Sequence, residues 1–401
     1  MRRRHLLGLL AGTAGLSTLS RPAAACLWDS DTLEREAAGA PRVVPTLVGG
    51  FPRYPARYYA MRLERVSAEL GRNEDDLSLY DDAGVAADRL GKHDDALAWM
   101  AKKKVALERL GDEAGAAKGE PSHWYRYYAN LGTFHAHRWL HGGAKWDATD
   151  DLDEGHRLIE KAIAENANAH FGREKYQLKA LAWLKSKPTM QQAKDGLMPT
   201  FVPVDFNAMH QTGDNDHLAK EGMGDAAAGL CGLITLGAAW NSVDVTMALA
   251  YVLAMDGKGT LVQMARRRVS QIVDAGGKSL VPDAPTGRAL LDRLPGSMLQ
   301  DPSDVDRQFD ELVLKAKGWA DRREAYLVAR LDQGAHPDTH PAFWEGFPED
   351  PNHMGDKGSE PPPVPGKKGC ACGVATTTDA GGVWAALALG AAAMLRRYSG
   401  A

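Results

Sequence analysis

A chain of 401 residues can bury a sizeable core as one large domain or two ordinary ones, and 44% apolar with 25% charged residues is ordinary for a globular protein. The formal net charge of −4 hides a contrast: residues 1–25 carry +4 and 367–401 carry +3, which leaves −11 on 26–366. An acidic body excludes a phosphate-backbone partner, because nucleic-acid binding draws on clustered Lys and Arg. The four cysteines, Cys26, Cys231, Cys370 and Cys372, show neither a disulfide framework nor zinc spacing.

Residues 1–25 have the three parts of a secretory signal: Arg2 to Arg4, the apolar stretch Leu6 to Leu19, and small residues Ala23 to Ala25 before Cys26. Cleavage is expected around Ala23, Ala25 and Cys26. The pair Arg3-Arg4 leaves both a general and a twin-arginine export route open. Next come CLWDSDTLEREAAG and an aromatic-rich helix, Pro55 to Leu70, expected to pack as a cap on the helices after it.

From Leu79 to Lys103, small residues Ala83, Gly84 and Ala87 share a helical stripe behind Tyr80. Gly91 breaks the helix, and Ala96 and Met100 restart the period, so the stretch reads as a tight antiparallel hairpin. The pattern returns at Tyr128, Leu131, Gly132 and His135, followed by Leu152, Gly155, Ile159 and Ala162. These residues resemble the tetratricopeptide repeat, with its aromatic, Leu-Gly and small-residue signature. The best matches are 78–110 and 124–166, with a degenerate unit at 225–276. The expected fold is therefore all-α, with hairpins stacked in one array from 26 to 345. Grooves of this family bind peptides along each hairpin's first helix. That implies Asp81, Val85 and Asp88 in the first repeat, and Arg126, Asn130 and Thr133 in the second. The acids suggest a basic or neutral protein or peptide ligand.

An insertion, HRWLHGGAKWDATDD, separates the helices of the second repeat. His137 and His141, four apart, share a helical face and are weak candidates for metal ligands; no cofactor is expected. His135, Asp147, Asp150 and Asp151 lie nearby. His170 to Lys185 reads as a helix. The aperiodic stretch 189–224 carries His210, Asp214, Asp216 and His217, more simply a polar turn than a site. Ala226 to Trp240 is almost continuously apolar, which implies a helix buried in the protein, with Cys231 as a small core residue. Asp244–Met255 and Leu261–Ala275 form a further pair. Asp304 to Leu331 reads as a long closing helix. The prolines around His336 and His340 then predict a loop pinned by Phe343 and Trp344.

Residues 346–369 read as a Pro/Gly-rich linker. After it stand Gly369-Cys370-Ala371-Cys372-Gly373, an apolar run over 380–395, and Arg396-Arg397. This order resembles the MYXO-CTERM type of C-terminal sorting signal, which implies processing at Cys370, with Cys372 beside it, and anchoring of an exported bacterial protein. The membrane segment would be 380–397, with a plain membrane anchor as the alternative. The body also resembles a group of bacterial repeat proteins that share phrases such as CLWDSDTL and HFGREKYQ, a likeness that implies no activity. The expected function is a non-catalytic protein-binding scaffold at the cell envelope. A metal-assisted hydrolase using the His/Asp stretches and a self-associating structural protein are the alternatives. No phosphate loop, Gly-x-Ser-x-Gly elbow or His-Glu-x-x-His motif occurs.

Overall fold

The computed structural model describes residues 27–31, 41–111, 122–167, 172–194, 196–203 and 217–348, and among them the fold is all-α. Eleven helices carry it: α1 (Val43–Val48), α2 (Ala56–Leu70), α3 (Leu77–Arg89), α4 (His93–Leu110), α5 (His123–His141), α6 (Asp150–Glu165), α7 (Arg173–Lys185), α8 (Ala226–Thr235), α9 (Val243–Met255), α10 (Gly259–Asp274) and α11 (Ser303–Asp332). Short helical turns at His217–Lys220 and Arg288–Leu291 lie between them.

Local chemistry fixes the boundaries. Asp76 caps α3 by accepting from the Ser78 amide, Ser122 caps α5 through the Tyr125 amide, and Ser242 caps α9 through that of Val245. Gly91, with φ of +75°, turns the chain between α3 and α4, a conformation that side chains with a Cβ rarely adopt. At the start of α11, Asp304 and Asp306 complement the helix dipole, and Arg330 does so at its end.

From α2 to α11 each helix packs on the next, and α11 returns to touch both α1 and α2. The tightest approach is in the α5–α6 hairpin. A methyl group on Gly155 would stand 2.9 Å from the Gly132 carbonyl oxygen, so only glycine allows the two backbones so close. Gly84 of α3 lies against the side chains of Met100 and Phe134. The largest apolar cluster surrounds α8, α9 and α10, and a second fills the space among α2, α3, α4 and α5. A third gathers Tyr58, Tyr59, Leu327, Leu331 and Phe343, where the last helix closes on α2.

Two expectations change in detail. The apolar stretch 226–240 is not one helix: α8 ends at Thr235, where Leu236 and Gly237 both donate to the Gly232 carbonyl and a 3₁₀ turn comes next at Ala239–Asn241. The insertion after α5 is also shorter than expected, because His137 to His141 continue the helix. Trp139 is held by an edge-to-face contact with Trp146 at 5.1 Å and donates to the Lys145 carbonyl. Cys231 lies in the core, where burial pushes its thiol up to about 12. No helix among the described residues is long and apolar enough to cross a membrane. The segments 1–26 and 349–401 lie outside the described residues, and with them Ala23, Ala25, Cys26, Cys370, Cys372 and the stretch 380–397.

Candidate functional site

Asp81, Val85 and Asp88 recur along one face of α3, and Arg126, Asn130 and Thr133 along one face of α5. The shared face is therefore as the spacing implies, but it is not open. All six side chains are buried. The chain's own segment Leu27–Asp31 lies against Asp81, Arg126 and Asn130, while Asp88 is covered by His93 and His137 and Thr133 by Gln177.

Asn130 makes the central contact. Its Oδ1 accepts from the Trp28 amide at 2.7 Å, and its Nδ2 donates to the Trp28 carbonyl at 3.0 Å. One side-chain amide thus satisfies both backbone groups of one residue, as a neighbouring strand would. The Trp28 ring packs edge-to-face on Tyr125 at 5.6 Å, beside Ala129 and Ala162, with the Arg126 guanidinium 5.5 Å from its centre. Leu27 joins the cluster of α2 to α5, and its carbonyl accepts from Arg173. Ser30 donates through its amide and hydroxyl to Asp82. The cavity left between Trp28, Asp29, Ser30 and helices α3 and α5 is about 10 Å³, room for about one water molecule.

The acids of the segment meet Arg62 of α2, which is fully buried. Arg62 donates to both carboxylate oxygens of Asp31 at 3.0 Å, to Asp29 at 3.3 Å, and to Asp338 through its Nε at 2.8 Å. Tyr58, one turn earlier on α2, adds its hydroxyl to Asp31 at 2.6 Å. Against the cost of burial, these carboxylates raise the guanidinium well above its ordinary range and keep it charged. Residues from both ends of the described chain thus converge on one cation.

The acids that suggested a basic ligand already have partners inside the protein. Lys103 holds both oxygens of Asp81 at 2.6 Å, and Asn130 donates to the same carboxylate. Asp88 takes Nδ1 of His137 at 2.7 Å and Nδ1 of His93 at 3.0 Å. Burial opposes ionisation of Asp88, but the two imidazoles outweigh it and hold the carboxyl well below the usual range. Burial, with the Asp29 carboxylate adding to it, pushes Asp82 up to about 7 against the pull of Arg62. Thr133 accepts from the Gln177 amide of α7, and Val85 is core.

The histidine and acid stretches sort out separately. The rings of His137 and His141 are 6.3 Å apart between centres, and His93 lies 4.4 Å from His141. His135 and Arg138 both bind Asp151, an ion-pair knot at the top of the α5–α6 hairpin. His336 stacks on Tyr58 at 4.5 Å and bonds the Asp338 amide, so it braces the Arg62 cluster. Among the described residues no group of three or more His, Cys, Asp or Glu is placed to hold a metal ion. His210, Asp214, Asp216 and the side chain of His217 lie outside the described residues.

No protein-family model, no curated protein and no solved structure matches this chain.

Sequence reasoning missed the segment that fills the face and the cation that binds its acids. The signal available was the phrase Leu-Trp-Asp-Ser-Asp itself: two large apolar residues followed by acids at alternate positions, directly after the expected cleavage point. Its acids needed a buried cation, and Arg62, among Tyr58, Tyr59 and Val66 on the packed side of α2, was the one in place.

Proposed function

We propose that the chain is a non-catalytic protein-binding scaffold, exported through its N-terminal signal and held at the cell envelope or surface through its C-terminal tail. What carries this reading is the grip of Asn130 on both backbone groups of Trp28. A helical face that holds one residue of a short segment by its main chain, seats its aromatic side chain and neutralises two acids has the equipment of a peptide groove. Here the occupant belongs to the same chain. Cleavage before Cys26 would make it the start of the mature protein, so that export itself frees the segment to enter the face.

The ligand class follows from the occupant. Asp81 and Asp88 are already matched by Lys103, His137 and His93, so they exert little pull on a basic peptide. Arg62, Arg126 and Asn130 suit an extended peptide with an aromatic residue followed by acids. A partner with that pattern would compete with residues 27–31 for the face.

The test is the intact native mass of the protein released from its own envelope. Loss of residues 1–25, a C-terminal cut near Cys370 and a bound peptide or protein of aromatic-acidic sequence support the scaffold. A full-length mass with neither end processed and no partner withdraws export, anchoring and binding together.

A further inference from the structure

A second concavity lies away from the held segment, between the loop before α2, the end of α3 and the turn after α8. Its volume is about 250 Å³, just under the ~300–1,000 Å³ of pockets that take drug-sized ligands. Phe51, Tyr54, Tyr59 and Trp240 line it, and Phe51 meets Trp240 edge-to-face at 5.2 Å.

Guanidinium groups gather around these rings. The Arg53 guanidinium carbon lies 4.9 Å from the Trp240 ring centre and 5.2 Å from that of Phe51, and that of Arg268 lies 3.4 Å over Trp240. Arg89 lines the cavity and donates to the carbonyls of Leu236 and Gly237 at 3.2 and 3.0 Å, which fixes that wall. Among the described residues, no carboxylate lines the cavity. Asp321 and Glu324 of α11 act on Arg53 through space, without an ion pair among the described residues. Burial and the neighbouring Arg53 charge together lower Arg268 to about 9. Arg53 and Arg89 thus bring positive charge to an aromatic cavity whose described lining holds no carboxylate, with Asp321 and Glu324 acting on Arg53 from outside it. That arrangement favours an anion that enters.

We propose that this cavity binds a small aromatic carboxylate, with its ring among the aromatic side chains that line the cavity and its carboxylate on Arg53. The planar guanidinium matches a carboxylate with two parallel hydrogen bonds, and the rings supply offset or edge contacts to a flat ligand. The site is separate from the Trp28 face and does not depend on how that face is used.

Calorimetric titration of the full chain with indole-3-acetate, and with its neutral analogue indole-3-acetamide, tests the proposal. The acid is expected to bind at least ~10-fold more tightly than the amide, a ratio that reports the charge-assisted contact. Arg53 is exposed, so its replacement spares the core. Arg53→Gln should bring the acid down to the level of the amide, Arg53→Lys should keep part of the preference, and Arg307→Gln, at an exposed position of α11, should change nothing. Equal binding of acid and amide, no heat with acid up to about 5 mM, or unchanged acid binding by Arg53→Gln would each overturn it.

Discussion

Asn130 and Trp28 are 102 positions apart in sequence, yet one side-chain amide of the first satisfies both main-chain groups of the second, at 2.7 and 3.0 Å. No other residue type of that length offers a donor and an acceptor side by side. Asn130→Ala should therefore leave a buried amide and a buried carbonyl unpaired and lower stability by about 2–4 kcal/mol. Asn130→Asp should be as harmful, since it turns a carboxylate toward the Trp28 carbonyl and toward Asp81. Urea unfolding of the three proteins measures both; a loss below about 0.5 kcal/mol would mean that segment 27–31 does not rest on this contact.

Among the described residues, Arg62 is the guanidinium that meets Asp29, Asp31 and Asp338 together. Replacing it by Met leaves the buried Asp29 and Asp31 beside the partly exposed Asp338 without their shared cation, with Arg65 still bound to Asp338. The expected cost at pH 7 is about 3–5 kcal/mol, as for other broken buried ion pairs. The penalty should shrink as pH falls through the ordinary carboxylate range near 4, because Arg62 helps to hold Asp338 well below that range in the wild type and is missing from the variant. Denaturation of both proteins from pH 3 to 7 checks the direction, and a penalty independent of pH would point to lost packing alone.

The glycines rank themselves by what a methyl group would strike. On Gly155 it meets the Gly132 carbonyl oxygen at 2.9 Å, a backbone atom that cannot move without shifting a helix. On Gly84 it meets side chains instead, the flexible end of Met100 at 2.9 Å and the Phe134 ring at 3.0 Å. Gly155→Ala should cost about 1–3 kcal/mol, and Gly84→Ala less than that, because side chains can yield where a helix backbone cannot. Thermal midpoints of the two variants decide, and the reverse order would contradict the close α5–α6 approach.

Asp244, in the first turn of α9, is buried and accepts from the Ser279 hydroxyl and the Leu280 amide at 2.6 and 2.8 Å. Burial outweighs both bonds and pushes it up to about 6. A carboxyl raised above its unfolded value binds its proton more tightly in the native chain. Its contribution is complete below about pH 4 and lost as pH rises through about 6. From this group the wild type should lose about 3 kcal/mol between pH 4 and pH 7.5, and Asp244→Asn should remove that component. Urea curves for both proteins across this range isolate it by difference; identical pH profiles would refute the shift.

The helices were legible because their signals are local. The period of Ala83, Gly84 and Ala87, the break at Gly91 and the restart at Ala96 lie within twenty residues, and α3 and α4 form where they point. The face shared by Asp81, Val85, Asp88, Arg126, Asn130 and Thr133 was legible for the same reason. Its occupant was not, since five residues are too few to show a period and find their partners far along the chain. The end of α8 was hidden likewise. The Leu236 and Gly237 carbonyls are taken by Arg89, from a helix far earlier in the chain, and composition alone shows no reason for the apolar run to stop there.

The most direct measurement nicks the chain at a protease site introduced between residues 32 and 40 and tracks the N-terminal fragment by native mass spectrometry. If residues 27–31 occupy a true peptide groove, the fragment stays bound after cleavage. It should then exchange with an excess of labelled Leu-Trp-Asp-Ser-Asp peptide, but not with a version carrying Ala in place of Trp. A fragment that departs at once on cleavage, or that never exchanges short of unfolding, would contradict the groove and leave the segment as a part of the core alone.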